Sequence, residues 1–182
     1  MAPIIFIFGL IAGVIIFILS WLLWSLCMQD LVDLDRGQIL GYASMVIALS
    51  MIFFGIKSYR DKRAGGTIKF WKGVQIGLLI TLITSLMYVA SGEVISTVYP
   101  GFTDKILAKF VEHETGKMVQ RGAPAEEIEQ KKTEMAQIMK MWENPLIRFG
   151  IYMMEIWPVG IIITLISAAI LRKREVLPAP AT

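Results

Sequence analysis

From Pro3 to Leu26 the chain runs through IIFIFGLIAGVIIFILSWLLWSL without a charged residue. A bilayer-spanning helix needs about 20 mostly apolar residues, and this segment meets that criterion. Three more segments do so: Ile39 to Ile56 (39–56), Gly73 to Val98 (73–98) and Ile147 to Leu171 (147–171). With 55% hydrophobic residues and a mean hydropathy of +0.62 over 182 residues, the chain is too apolar for an ordinary soluble core of its size, and the bilayer is its expected solvent. The segment 3–26 lacks the basic start and small-residue cleavage site of a secretory signal and reads as a retained span. Trp24 and Leu26 stand where lipoprotein processing at Cys27 would want small residues, and a single cysteine forms no internal disulfide.

Charge placement predicts the topology. Six of the eighteen basic residues, Lys57, Arg60, Lys62, Arg63, Lys69 and Lys72, lie between the second and third spans, and Lys and Arg in short loops are retained in the cytoplasm. The first loop carries Asp30, Asp33 and Asp35 against Arg36, whereas Arg172, Lys173 and Arg174 follow the last span. Both termini are therefore expected in the cytoplasm and residues 99–146 outside it. The net charge of +3 is accounted for by this anchoring and does not argue for nucleic acid. A basic loop also touches anionic headgroups, at about 1 kcal/mol per residue, as an ordinary consequence of topology.

The outer segment reads as a helical hairpin. Ile106, Leu107, Phe110, Val111, Met118 and Val119 approximate one helical stripe over 103–120. Ile128, Met135, Ile138, Met139 and Trp142 form a second, and Gly122-Ala123-Pro124 separates the two. Pro124 followed by Glu126 and Glu127 makes a good helix start, because proline lacks only a donor that would be orphaned there and acids favour the positive dipole end. Asn144-Pro145 is expected to close this helix. The stripes either pack on themselves and the loops beneath or lie against a partner or the headgroups. His113 has no second histidine or cysteine near it to complete a metal site and reads as a solvated surface residue.

Lipid provides no hydrophobic drive for helix pairing, so rows of small residues mark where helices approach closely. Gly9 and Gly13 form such a row, as do Gly73, Gly77, Thr81 and Ser85, and Gly160, Thr164 and Ala168, with Ser44 and Ala48 weaker. The expected fold is all-α, an antiparallel four-transmembrane-helix bundle in a single membrane domain, 1–182, with an extracytoplasmic amphipathic helical hairpin at 99–146.

Ionisable residues inside spans are costly and raise a functional hypothesis by default. Glu93 and Glu155 are two such residues, at similar height roughly one to two turns from the outer ends of their spans. Pro158 frees the carbonyl of Met154 beside Glu155. Together with Tyr88 or Tyr152, the two carboxyls could hold a cation or share a proton. A helical wheel at about 100° per residue counts against that site. Glu93 shares a face with Leu82, Leu86 and Val89, nearly opposite Gly77, Thr81 and Tyr88, while Glu155 shares a face with Arg148, Tyr152 and Val159, away from Gly160 and Thr164. On the wheel both acids avoid the tight helix contacts, and they instead snorkel to the interface, pair with Arg148 or lie beneath the hairpin. The stripe of Arg148, Tyr152 and Glu155 reads as an interfacial network.

The run Gly55-Ile56-Lys57-Ser58-Tyr59-Arg60-Asp61, then Gly65-Gly66-Thr67-Ile68-Lys69-Phe70 and Gly73 to Gly77, resembles a bacterial family of small four-span membrane proteins labelled domain of unknown function 4199. The resemblance extends to Tyr99-Pro100-Gly101-Phe102 and the acidic helix from Glu126 to Gln130, and rests on order and spacing. It implies the four-span fold and the bacterial inner membrane, and brings no catalytic residues. Gly65-Gly66 permits positive φ between two helices, and Phe70 and Trp71 mark the interface; the glycines and lysine of a phosphate-binding loop are absent. The expected role is noncatalytic: an uncharacterised envelope component that packs or binds a partner, a second copy or another membrane protein, through the hairpin. The rival is a small ion or proton transporter or channel subunit using Glu93 and Glu155. An enzyme ranks behind both, since His113 is the one histidine and has no catalytic constellation around it. No cofactor or metal is expected.

Overall fold

In hydrocarbon a backbone amide finds no water, so an apolar run must satisfy its own hydrogen bonds as a helix. The computed structural model, which describes residues 1–29, 31–99 and 101–172, has seven helices among those residues. They are α1 (Ala2–Met28), α2 (Leu34–Leu49), α3 (Met51–Arg63), α4 (Phe70–Val98), α5 (Phe102–Gln120), α6 (Ala125–Trp142) and α7 (Pro145–Leu171). Asp30, Pro100, Lys173 and Arg174 lie outside the described residues. Among the described residues, four spans are long and apolar enough to cross a membrane: α1, α2 with α3 as one stretch Leu34–Arg63, α4 and α7.

The second span is longer than the 39–56 expected and is interrupted at Ser50. There the Ser50 hydroxyl donates to the Ile47 carbonyl at 2.6 Å, and the Phe53 amide reaches back three residues to the Ser50 carbonyl at 3.0 Å. A serine bonding its own backbone in this way competes with the helical ladder. At the start of the span Asp33 is an N-cap, its carboxylate accepting from the Arg36 amide at 2.8 Å, so it does more than solvate the loop. Helix α6 ends at Trp142, just ahead of Asn144-Pro145 as expected, and the same pair also opens α7: the Asn144 side chain accepts from the Leu146 amide at 3.0 Å and Pro145 occupies the first turn. Both residues suit a helix start better than a stop, for the same capping reason.

Helix α4 is the hub, with its most extensive contacts to α1 and α7. Helix α3 packs against α1, α4 and α7, while α2 rests on α1 and α7. Ile16, Met45, Leu49, Ile52, Ile80 and Ile156 are fully enclosed between them. The opposite faces, carrying Phe6, Leu10 and Val14 on α1 and Ile162, Ile166 and Ile170 on α7, are exposed and apolar, as lipid-facing surfaces must be.

Small residues set the closeness of the hub. A Cβ added at Gly9 would stand 2.8 Å from Ile83, and one at Gly13 would stand 2.6 Å from Met87. On the other side of α4, Gly73 faces Ala168, Gly77 faces Thr164 and Thr81 faces Gly160. Each step of four up α4 is matched by a step of four down α7, the register of two antiparallel helices interlocking glycine against threonine. Thr81 and Thr84 are also fully buried, and their hydroxyls donate to the carbonyls of Gly77 (3.0 Å) and Ile80 (2.9 Å). Gly55 extends the same logic to α3, where an added Cβ would lie 2.5 Å from Ile80 and 3.3 Å from Phe8.

The basic segment turns at one end of the bundle through Gly65 and Gly66, both at positive φ (61° and 83°), which favours residues without a Cβ. The first loop and the α5–α6 hairpin share the other end. The hairpin turns through Gly122 at φ 72°, and its arms pack together around the buried Met118 and Met135.

Candidate functional site at the hairpin end of the bundle

The polar residues of the upper α4–α7 interface do not form one carboxylate pair. Glu93 accepts two hydrogen bonds from Arg148, at 2.9 Å from Nε and 2.7 Å from Nη2. This fork-on-carboxylate geometry is the strong form of the ion pair. The Glu93 side chain is 41% exposed and that of Arg148 only 18%, so the arginine is the more enclosed partner. Its remaining terminal nitrogen, Nη1, donates to the Trp142 carbonyl at 3.2 Å. That carbonyl belongs to the last turn of α6, where the helix leaves its acceptors unpaired. One guanidinium thus joins α4, the end of α6 and the start of α7.

Glu155 takes a different partner. The Tyr88 hydroxyl donates to its Oε2 at 2.9 Å, and Glu155 itself is exposed on the side of the bundle. Between the two polar pairs stands the Tyr152 ring, edge-on to Tyr88 at 5.6 Å and to Trp142 at 5.8 Å. These centroid distances lie in the range that favours edge-to-face aromatic packing. The ring also rests on Gly92, where an added Cβ would stand 2.6 Å from the Tyr152 hydroxyl. Further round this end, Trp21 meets Tyr99 at 6.0 Å and Trp24 meets Phe102 at 5.6 Å. An aromatic girdle at this height is the usual composition of a membrane interface.

The helical wheel set both acids away from the glycine row and offered Arg148 as a partner, and Glu93 takes that partner while Glu155 does not, although Glu93 meets it across the seam and not away from it. Glu93 and Arg148 continue the register of the Gly77–Thr164 and Thr81–Gly160 contacts, four residues per step, and they meet across the α4–α7 seam. The wheel fixes the direction of Cβ on a straight helix, whereas arginine spans several ångströms beyond it. Tyr88, placed opposite Glu93 on the wheel, is accordingly the partner of Glu155 and not of Glu93. Gly92 and the Trp142 carbonyl were absent from the sequence reading. A glycine one residue before an intramembrane acid was the available signal for the first, and a backbone acceptor leaves none.

A second cluster holds the other arm of the hairpin. The Lys117 amine on α5 donates to Asp35 Oδ1 at 2.6 Å, and His113 Nε2 lies 3.2 Å from the same oxygen. The hydrogen bond from Lys117 to Asp35 raises the lysine above its ordinary pKa. One turn earlier, Lys109 donates to the Cys27 carbonyl at 3.1 Å, covering an acceptor left over at the end of α1. His113, expected as a solvated residue, is thus only 26% exposed in its side chain and faces a carboxylate. Its position on the inner face of α5 follows from the turn-by-turn spacing of Lys109, His113 and Lys117. Sequence could display that stripe but not the loop opposite it.

No curated protein and no solved structure matches the chain. A family model described as a protein of unknown function, DUF4199, matches residues 7–173.

Proposed function

The chain belongs to the DUF4199 family, whose description assigns no activity, and from that premise we propose a noncatalytic integral membrane protein whose α5–α6 hairpin is a partner-binding element held rigidly on the bundle. The observation that carries this reading is the three-way joint at Arg148, which ties the end of α6 to α4 and α7. Lys109 and Lys117 tie α5 to the end of α1 and the start of α2 in the same manner. A hairpin serving only as a connection needs no such bracing at both arms. Its outer surface leaves Phe110, Val119, Ile138 and Met141 exposed at 46%, 62%, 47% and 51%, and exposed apolar side chains on a braced element suit a protein groove or a second copy of this chain.

The proposed setting is the inner membrane of a bacterium, with both termini and the basic segment in the cytoplasm and the hairpin outside. The support is the concentration of Lys57, Arg60, Lys62, Arg63, Lys69 and Lys72 at the end opposite the hairpin. Photo-cross-linking from Ile138 and Met141 in native membranes tests the binding role. A reproducible heterologous or intermolecular adduct is expected, and adducts confined within single chains would refute it.

The transport reading needs Glu93 and Glu155 to act on one ion or proton. Their separate partners, Arg148 and Tyr88, favour structural roles instead. Proteoliposomes carrying the parent chain are expected to show no flux in a broad ion screen that depends on these acids. Flux that disappears in Glu93→Gln and Glu155→Gln would restore the transporter.

A further inference from the structure

At the opposite end of the bundle, Phe8 of α1 and Met51 and Phe54 of α3 wall a groove of about 430 Å³. The groove runs on to Lys57, Ser58, Asp61 and Lys62. Its gradient from aromatic wall to cationic rim lies along one element, because Phe54, Ser58, Asp61 and Lys62 recur on the same face of α3 at helical spacing. Phe54 is 48% exposed, and both lysines are exposed as well. The groove therefore opens sideways, to the bilayer at its apolar end and to the interface at its charged end.

We propose that this groove binds one anionic phospholipid, its acyl chain along Phe8, Met51 and Phe54 and its phosphate between Lys57 and Lys62, with the Ser58 hydroxyl as a further donor. Charge complementarity selects this occupant. The segment from Lys57 to Lys72 holds six basic residues and a single acid, Asp61, and Asp61 is engaged by the neighbouring Arg60 at 2.7 Å. A purely apolar partner would leave the lysines unanswered, and a soluble anion would leave the aromatic wall unused. Basic pockets between membrane helices take lipid phosphates for these combined reasons. The close approach of Gly55 to Phe8, 3.3 Å from an added Cβ, fixes the ring as one wall and keeps α1 and α3 at constant separation.

The site goes beyond the diffuse attraction of any basic loop, because it assigns the lipid to two of the six cations. Native mass spectrometry of the full chain, released from mixed micelles holding equal amounts of phosphatidylglycerol and phosphatidylcholine, reads the retained lipid directly. The parent chain is expected to retain phosphatidylglycerol preferentially. Lys57→Gln and Lys62→Gln are each expected to reduce that preference about fivefold, and together to bring it near that of phosphatidylcholine. Lys131→Gln with Lys132→Gln, an equal loss of charge on α6, is expected to leave it unchanged. Equal loss in both double variants, or no loss in the first, would overturn the site. Displacement of the lipid by excess glycerol phosphate would overturn it too, since the proposal requires the acyl chain.

Discussion

Replacing Gly77 by alanine tests how tightly α4 and α7 are interlocked. A Cβ at that position would stand 2.5 Å from Thr164 Cγ2, 2.7 Å from its Oγ1 and 3.0 Å from its Cβ. Carbon atoms in ordinary contact sit about 3.5 Å apart, so the nearest pair is short by about 1 Å. Thr164 has nowhere to turn, being fully buried, and both branches of its side chain already face the glycine. The helices must separate, and overpacking of this kind costs about 1–3 kcal/mol. Against this, alanine in a helix interior is favoured over glycine by roughly 0.5–1 kcal/mol, leaving a net loss of up to about 2.5 kcal/mol from the combination. Gly116 on α5 isolates the propensity, because an added Cβ there meets nothing within 4 Å. Gly116→Ala is therefore expected to stabilise the protein while Gly77→Ala destabilises it. The assay is reversible unfolding in mixed micelles, read by intrinsic tryptophan fluorescence. Adding Thr164→Gly to Gly77→Ala removes all three close atoms and is expected to recover most of the clash, a coupling between contacting residues that a double-mutant cycle measures. If Gly77→Ala and Gly116→Ala shift stability in the same direction, the interlocked register is refuted.

Arg148→Met should destabilise the bundle by about 1–2 kcal/mol, toward the low end for a bond to a charged group because Glu93 is partly exposed, and should raise hydrogen exchange at the end of α6; unchanged exchange there would remove the joint. Gly92→Ala is expected to displace the Tyr152 ring, 2.6 Å from the new Cβ, and to shift the emission of Trp142 in a background lacking the other tryptophans. Lys117→Gln should increase hydrogen exchange in α5 with little change in global unfolding, since the ion pair with Asp35 is at the surface. Because the pair raises the Lys117 pKa and lowers that of Asp35, the anchoring of α5 is fully present between the ordinary carboxylate and lysine ranges, lost as pH rises through the raised lysine value and lost as pH falls through the lowered carboxylate value; protection of α5 that falls on acidification through neutral pH would refute the assignment to Lys117.

Much of the fold was legible because its determinants are local or periodic. An uncharged run such as 3–26 must become a helix in lipid whatever surrounds it, and rows such as Gly73, Gly77, Thr81 and Ser85 display a close-contact face on one helix alone. Ser50 was less readable: serine is common in helices, and only its bond to the Ile47 carbonyl marks the interruption. Asn144-Pro145 was legible as the boundary after α6 but not as the start of α7, because a cap belongs to whichever amide it meets, here that of Leu146.

The candidate site divides along the same line. By itself the sequence placed Glu93 and Glu155 toward the outer ends of two spans, because depth follows from rise per residue, but their expected similar height does not hold: Glu93 is level with Arg148, and Glu155, seven residues further along α7, lies roughly 10 Å deeper beside Tyr88. The α4–α7 register then decided the pairing, giving Glu93 to an arginine 55 positions away and Glu155 to a tyrosine 67 positions away. Sequence read His113 as a solvated surface residue, and only the seating of α5 at this end of the bundle brought Asp35 and the Cys27 carbonyl opposite Lys109, His113 and Lys117. The reason is physical: helix formation and burial depth depend on what a segment contains, whereas the partner of a charged side chain depends on the crossing and register of two segments that meet only after both have formed.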